Sequence, residues 1–364
     1  MTGAASAPTG AIEASTVGWL FAEPFGRIGG AIAAAADIDE LAGAAPRIRE
    51  FARDMLGHGV GARQVSELLS QLNDRLTGRM LQIVAGEQHL DLGQACWLAF
   101  GSQGRSEQTI VTDQDNGLVF ESAEPARDRE RWLALGRRMN EGLSACGYAW
   151  CKGQVMAGNP ACCMTVAEWC DRFAEWIERG GPDELLKACI YFDLRPVAGR
   201  GHLAQPLTDL LAREPARVPR FLKQMADNAL ANPVPLSWLG ATETRKVAGR
   251  PMLDLKHHGT MVFVDAARLY ALAYGIANTS TRERLQAIAP KLRVPPHESE
   301  AWVRGFEYLQ LLRLQTQAGI GPDAPGNSNL LDVGSLNDID RRMLNETLRV
   351  ARRLQQRMQL DYQR

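Results

Sequence analysis

The chain has 364 residues, 45% of them hydrophobic and 23% charged, with 41 basic against 42 acidic side chains and a formal net charge of -1. This length and mix describe a globular protein of two or three domains with ample core material, and they lack the basic excess of an electrostatic nucleic-acid binder. No run approaches the roughly 20 apolar residues of a membrane span. The start also lacks the basic segment of a secretory signal, so the expectation is a cytoplasmic protein that works neither in a membrane nor on nucleic acid.

In chain order, residues 1–29 open on small and polar positions (MTGAASAPTGAI) and are expected to be a disordered or weakly ordered tail. The apolar run Gly29 to Ala36 is short and is followed by Asp37 and Asp39. Residues 30–90 form an expected helical region. Ile48, Phe51, Met55 and Leu56 share a helical stripe that ends at Gly57 and Gly59. Val65, Leu68, Leu69, Leu72, Leu76 and Leu81 mark a second helix.

The texture changes in 91–204, where ACWLAFGS and NGLVFE predict strands and YAWC, 148–151, a third. Residues 126–145 and 165–178 predict helices. IYFDLRPV, 190–197, reads as helix or strand, because a short apolar run does not separate the two. From 205 to 364 the pattern is helical throughout, with candidates at 206–213, 216–230, 260–276, 280–289, 297–319 and 335–360. The fold class is therefore α+β: a small core with a mixed sheet, flanked by N-terminal helices and a C-terminal helical bundle.

Six of seven cysteines lie between Cys146 and Cys189, none in a C-x-x-C pair. That spacing argues against zinc and for reduced thiols packed as small hydrophobes.

The chemistry concentrates in residues 100–120, FGSQGRSEQTIVTDQDNGLVF. Side chains alternate along an extended segment, so Asp113 and Asp115 point the same way. Two carboxylates on one face repel unless a cation joins them. Mg2+ or Mn2+ suits such a pair together with phosphate oxygens, and paired ions can assist both the attacking and the leaving oxygen. Gly101 and Gly104 allow a tight turn against a bulky anion. Ser102 offers a hydroxyl and Arg105 a planar fork for phosphate. A helix beginning near Ser106 would add its amides. Separately these pieces are common: a Gly-Ser turn is ordinary, and a D-x-D pair is often solvated charge. Their order and spacing describe a nucleotidyl-transfer site. No Walker loop, G-x-x-x-x-G-K-[ST], occurs.

GSQGRSEQTIVTDQDNGLVF resembles the signature of the bacterial nucleotidyltransferase family called domain of unknown function 294, in the DNA polymerase beta superfamily. That family is similar to the nitrogen-regulatory uridylyltransferases and the glutamine synthetase adenylyltransferases. The residues carrying the likeness are Gly101, Ser102, Asp113 and Asp115, then QVMAGNP at 154–160, IYFDLRPVAG at 190–199 and LDLKHHGTMVFVDAARLYAL at 253–272. Ala161-Cys162-Cys163 departs from the tryptophan usual after Asn-Pro. The resemblance implies a polymerase-beta-like core over 91–204 and a substrate-binding helical domain over 205–364. It further implies transfer of a nucleoside monophosphate from ATP or UTP to an acceptor hydroxyl, with pyrophosphate release. That acceptor could be a regulatory protein in a signalling pathway. Many relatives carry sensing modules that this chain has no room for, so input would come from a separate regulatory chain or from the helices.

By the same resemblance Asp193 is the candidate third catalytic and metal-binding acid beside Asp113 and Asp115, the bland reading being an ion pair with Arg195 or Lys187. Gly101, Ser102, Gly104, Arg105 and Lys256 are the candidate nucleotide-binding residues, with helix capping the alternative for Lys256. Arg195 either binds phosphate or balances Asp193. His257 and His258 are adjacent and diverge on a helix, which argues against a metal pair. Trp169 and Trp176 read as core. The rival functions are a non-catalytic nucleotide sensor and a helical interaction protein with a vestigial core.

Overall fold

The computed structural model describes residues 10–238, 240–319 and 328–363, with side chains from residue 20 onward. Three helices open the chain: α1 (Gly10–Ala34), α2 (Ile38–Gly57) and α3 (Ala62–Glu87). The Asp37 side chain caps α2 by accepting from the Glu40 amide at 2.9 Å. The expectation of a weakly ordered tail through residue 29 is corrected, because α1 starts at Gly10 and buries Phe21, Ile28 and Ile32 in the core shared with α2 and α3. Residues 1–9 lie outside the described residues.

The core follows as β1 (Ala95–Ala99), a single turn α4 (Gly101–Gly104), β2 (Asn116–Phe120), α5 (Pro125–Ala145), β3 (Cys163–Thr165), α6 (Val166–Arg179), α7 (Pro182–Tyr191) and β4 (Arg195–Gly199). The sheet order is β3-β2-β1-β4. β1 runs antiparallel to β2 and β4, with Trp97 opposite Leu118, and β2 runs parallel to β3. Both faces of β1 are covered, which is why ACWLA reads as a continuous apolar run. Ala95, Trp97, Leu118 and Phe120 pack with the N-terminal helices, while Cys96, Leu98 and Val119 pack with the C-terminal ones. One sheet thus divides two cores.

The C-terminal region holds α8 (Gln205–Arg213), α9 (Pro219–Leu230), a π-helical turn over Lys256–Thr260, α10 (Met261–Tyr274), α11 (Thr281–Lys291), α12 (Pro296–Ala318) and α13 (Asp338–Tyr362). Helix α10 is central and buried almost all round, from Val262 to Leu272. This region is not all-helical, which corrects the sequence reading. β5 (Arg245–Val247), β6 (Arg250–Asp254) and β7 (Leu330–Asp332) make a second antiparallel sheet. Its hairpin turns on Ala248 and Gly249, with φ of 48° and 80°, the two left-handed positions of a tight hairpin. The strands are short and β5 is exposed, so no apolar pattern marks them. YAWC is likewise not a full strand, since only Ala149 bridges, to Asp113. No helix among the described residues is long and apolar enough to cross a membrane.

Candidate active site

Asp113 and Asp115 lie at the entrance to β2. Their backbone is pinned on both sides: the Asp115 carbonyl accepts from the Phe100 amide at 2.9 Å, and the Gln114 amide donates to the Ala149 carbonyl at 2.9 Å. The buried side chains beside them take the opposite direction. Gln114 donates to the carbonyls of Asn140 and Tyr148 and accepts from the Asn140 amide group at 2.9 Å. Asn116 accepts from Asn140 and from the Ala157 amide at 3.0 and 2.9 Å. The alternation leaves Asp113 and Asp115 half-buried together on the other side. Burial first, and the charge of Asp113 second, push the Asp115 pKa up to about 6, against the pull of the Cys151 thiol, Lys256 and Arg105. The pair is therefore short of positive charge.

The glycine turn sits against it. Gly101 has φ of 53°, and a Cβ there would come within 2.9 Å of Asp115 Oδ2. Gly104 answers a different need, since a Cβ on it would lie 1.7 Å from the Asp193 carbonyl oxygen. Ser102 is half-buried beside them. Helix α4 begins at Gly101, and Ser106 takes φ of 56°, so no helix starts near Ser106 as the sequence suggested.

Asp193 sits in the link between α7 and β4, fully buried. Its carboxylate accepts from Arg105 Nη1 at 2.6 Å, Arg268 Nη2 at 2.6 Å and Arg284 Nη1 at 2.5 Å. Burial alone would raise its pKa, but Arg268, Arg284 and Arg105 outweigh it and hold the carboxyl well below the usual range. Three guanidiniums engage both oxygens, so the structure ties Asp193, the expected third metal-binding acid, to arginines. It is the hub of an ion network that joins the sheet core to α10 and α11. Among the described residues, no group of three or more His, Cys, Asp or Glu side chains is arranged to hold a metal ion.

Arg105, expected to bind nucleotide, is engaged in the same network. Its Nε binds Glu107 at 2.8 Å while Nη1 binds Asp193. Two of its nitrogens are thus held by carboxylates of the protein itself. Glu107 in turn accepts from the Thr281 amide and hydroxyl at 2.5 and 2.9 Å, and Arg268 also holds Asp265 at 2.7 Å.

Lys256 is half-buried and close enough to Asp115 to lower its pKa, so the C-terminal domain does bring this residue to the pair. Arg195 is held by Asp74 at 2.8 Å and the Gln103 carbonyl at 3.0 Å, and it is not among the arginines that contact Asp193. His257 is exposed and His258 half-buried. Trp169 and Trp176 are core, stacked among Phe173, Tyr191 and Phe192. All seven cysteines are free.

Sequence reading missed one element beside the pair. Helix α12 turns a buried polar stripe toward it: Gln310, Arg313 and Gln317, at 4%, 8% and 1% exposure. Gln310 donates to the Glu107 carbonyl and Gln317 accepts from the Val111 amide, both at 3.1 Å. The spacing i, i+3, i+7 is the one signal in the sequence, and it is legible only once the rest of that face is known to be buried.

Two family models match the two halves that meet here. "Putative nucleotidyltransferase DUF294" covers residues 46–183, and "Putative nucleotidyltransferase substrate binding domain" covers residues 219–362. The chain is similar to this family over both stretches. The DUF294 stretch contains Gly101 through Asp115, and the substrate-binding stretch contains Lys256, Arg268, Arg284 and Arg313. Asp193, the link between them, falls outside both stretches. No curated protein matches the chain.

Proposed function

We propose that the chain is a divalent-metal-dependent nucleotidyltransferase. It transfers a nucleoside monophosphate from ATP or UTP to an acceptor hydroxyl and releases pyrophosphate. The observation that carries this reading is the acidic pair: two half-buried carboxylates held together, short of positive charge, against a glycine turn. Hard oxygen donors of this kind fit Mg2+ or Mn2+. An ion held by Asp113 and Asp115 would neutralise phosphate charge during transfer.

The chain's own residues do the rest. Gly101 leaves space where a side chain would collide with Asp115, and Ser102 offers a hydroxyl donor at the same turn. Lys256 supplies a positive charge from the second domain. The Gln114–Asn140–Asn116 network fixes the direction of both acids, so little reorganisation is needed when substrate binds. The C-terminal helices present the acceptor, whose hydroxyl oxygen attacks the α-phosphorus. A hydroxyl on a regulatory protein is the acceptor class the family resemblance suggests.

The test is pyrophosphate release from ATP and UTP with cell extract as acceptor source, followed by mass spectrometry of the extract proteins. Release that needs Asp113 and Asp115 is expected. No release above the level of the Asp113→Asn, Asp115→Asn protein would overturn the reading. One observation favours a second reading, a nucleotide sensor: Asp193 is consumed by arginines, which leaves the pair without a third acid. Magnesium-dependent nucleotide binding without pyrophosphate release is its signature.

A further inference from the structure

The structure assigns Arg313 of α12 as a ligand for the polyphosphate end of the nucleotide, delivered to the acidic pair by the substrate-binding half of the chain. The identity of the anion rests on the nucleotidyltransferase reading; the presence of an anion-seeking group rests on geometry alone.

Arg313 differs from the other buried arginines nearby. Arg105, Arg268 and Arg284 each meet a carboxylate at 2.5–2.8 Å. Arg313 is 8% exposed, and its Nε donates to the Asn329 side-chain oxygen at 2.6 Å. Among the described residues its two terminal amino groups have no hydrogen-bond partner and it makes no salt bridge. A mostly buried guanidinium that touches no carboxylate keeps its terminal donors available to an anion. Burial first, and Arg105 second, pull its pKa down to about 10, against the attraction of Asp113, Asp254 and Glu107.

Its position is set from both sides. One turn before it, Gln310 grips the Glu107 carbonyl; one turn after it, Gln317 grips the Val111 amide and Asn329. Helix α12 is thereby fastened along the segment that runs into Asp113, with Arg313 between the fastenings. A planar fork with two free amino groups, beside a carboxylate pair suited to a metal ion, matches a phosphate that needs charge from two directions. A purely structural role would need only the Nε contact to Asn329.

The experiment is titration calorimetry in buffer with Mg2+, using inorganic tripolyphosphate, ATP and UTP on the full chain, with Arg313→Gln, Arg313→Lys and, as control, the exposed Arg304→Gln. Tripolyphosphate and nucleotide affinity should fall about tenfold or more in Arg313→Gln and by less in Arg313→Lys, which keeps charge but not the fork. Arg304→Gln should bind as wild type. The melting temperature of Arg313→Gln should hold, because no ion-pair contact is lost. Unchanged tripolyphosphate affinity in Arg313→Gln, a wild-type chain that binds no tripolyphosphate, or a fallen melting temperature with intact affinity would each overturn the assignment. If Arg313→Gln does not fold, Arg313→Lys decides alone, by a several-fold loss or by none. Wild-type binding that depends on Arg313 without pyrophosphate release would remove the transferase reading and leave Arg313 in place. Pyrophosphate release undiminished in Arg313→Gln would do the reverse.

Discussion

Asp113 and Asp115 at the entrance to β2, and Asp193 in the link before β4, are the same residue type in opposite electrostatic states. The pair is half-buried, and burial with the charge of Asp113 pushes Asp115 toward protonation. Asp193 is fully buried, ringed by three guanidiniums, and held ionised far below the usual range. Burial acts in the same direction on both; the supply of counter-charge decides which wins. A carboxylate whose oxygens are all taken holds the protein together. A pair with unmet charge is what the proposed metal site requires.

That contrast can be broken most directly at Asp193. Asp193→Ala should lower unfolding stability by about 3–5 kcal/mol, because it leaves three buried guanidiniums without their shared partner. Denaturant unfolding measures it. A loss below about 1 kcal/mol, the scale of an exposed pair, would show that the network is not a structural hub.

The acidic pair should behave the other way. Asp113→Asn with Asp115→Asn should abolish magnesium-dependent nucleotide binding while leaving the melting temperature unchanged or raised, since like-charge repulsion is relieved. A protein that melts well below wild type would place the pair in the structural class with Asp193.

Gly101→Ala sharpens the comparison at the pair's edge. The left-handed backbone alone costs about 1–2 kcal/mol, and the added Cβ crowds Asp115 Oδ2 at 2.9 Å. Nucleotide affinity should fall along with this loss of stability. Full affinity would mean that the turn lies outside the site.

The smallest effect is in pH dependence, where the two regions have opposite signs. Asp115 has a folded pKa of about 6, above its ordinary value of 3.8, so its charge disfavours the folded state above pH 6 and this penalty is relieved as pH falls from about 6 to about 4. Mg2+ affinity should fall over the same window. Asp193 has a folded pKa below its ordinary 3.8, so its contribution is full above that value and is lost as pH falls beneath it. Stability against pH, compared between wild type and Asp115→Asn, should differ in the first window. Superimposable curves there would remove the perturbed Asp115.

What could be read from residues alone was local. The glycine turn, the apolar strands on either side of it, the same-side direction of Asp113 and Asp115, and most helices followed from periodicities of two and 3.6 and from the backbone freedom of glycine. These depend on neighbours a few positions away. The exposed hairpin at Arg245–Asp254 was illegible because it buries too little to leave a pattern. The fate of each charged side chain was also beyond sequence. Asp193 meets arginines 75, 88 and 91 positions distant, and Gln317 reaches Val111 across 206. Electrostatic energy falls with distance in space and with local polarity, not with separation along the chain. Only the tertiary structure could therefore decide that Arg105 is bound inward, that Asp193 is an anchor, and that Arg313 arrives beside the pair with its charge unmet.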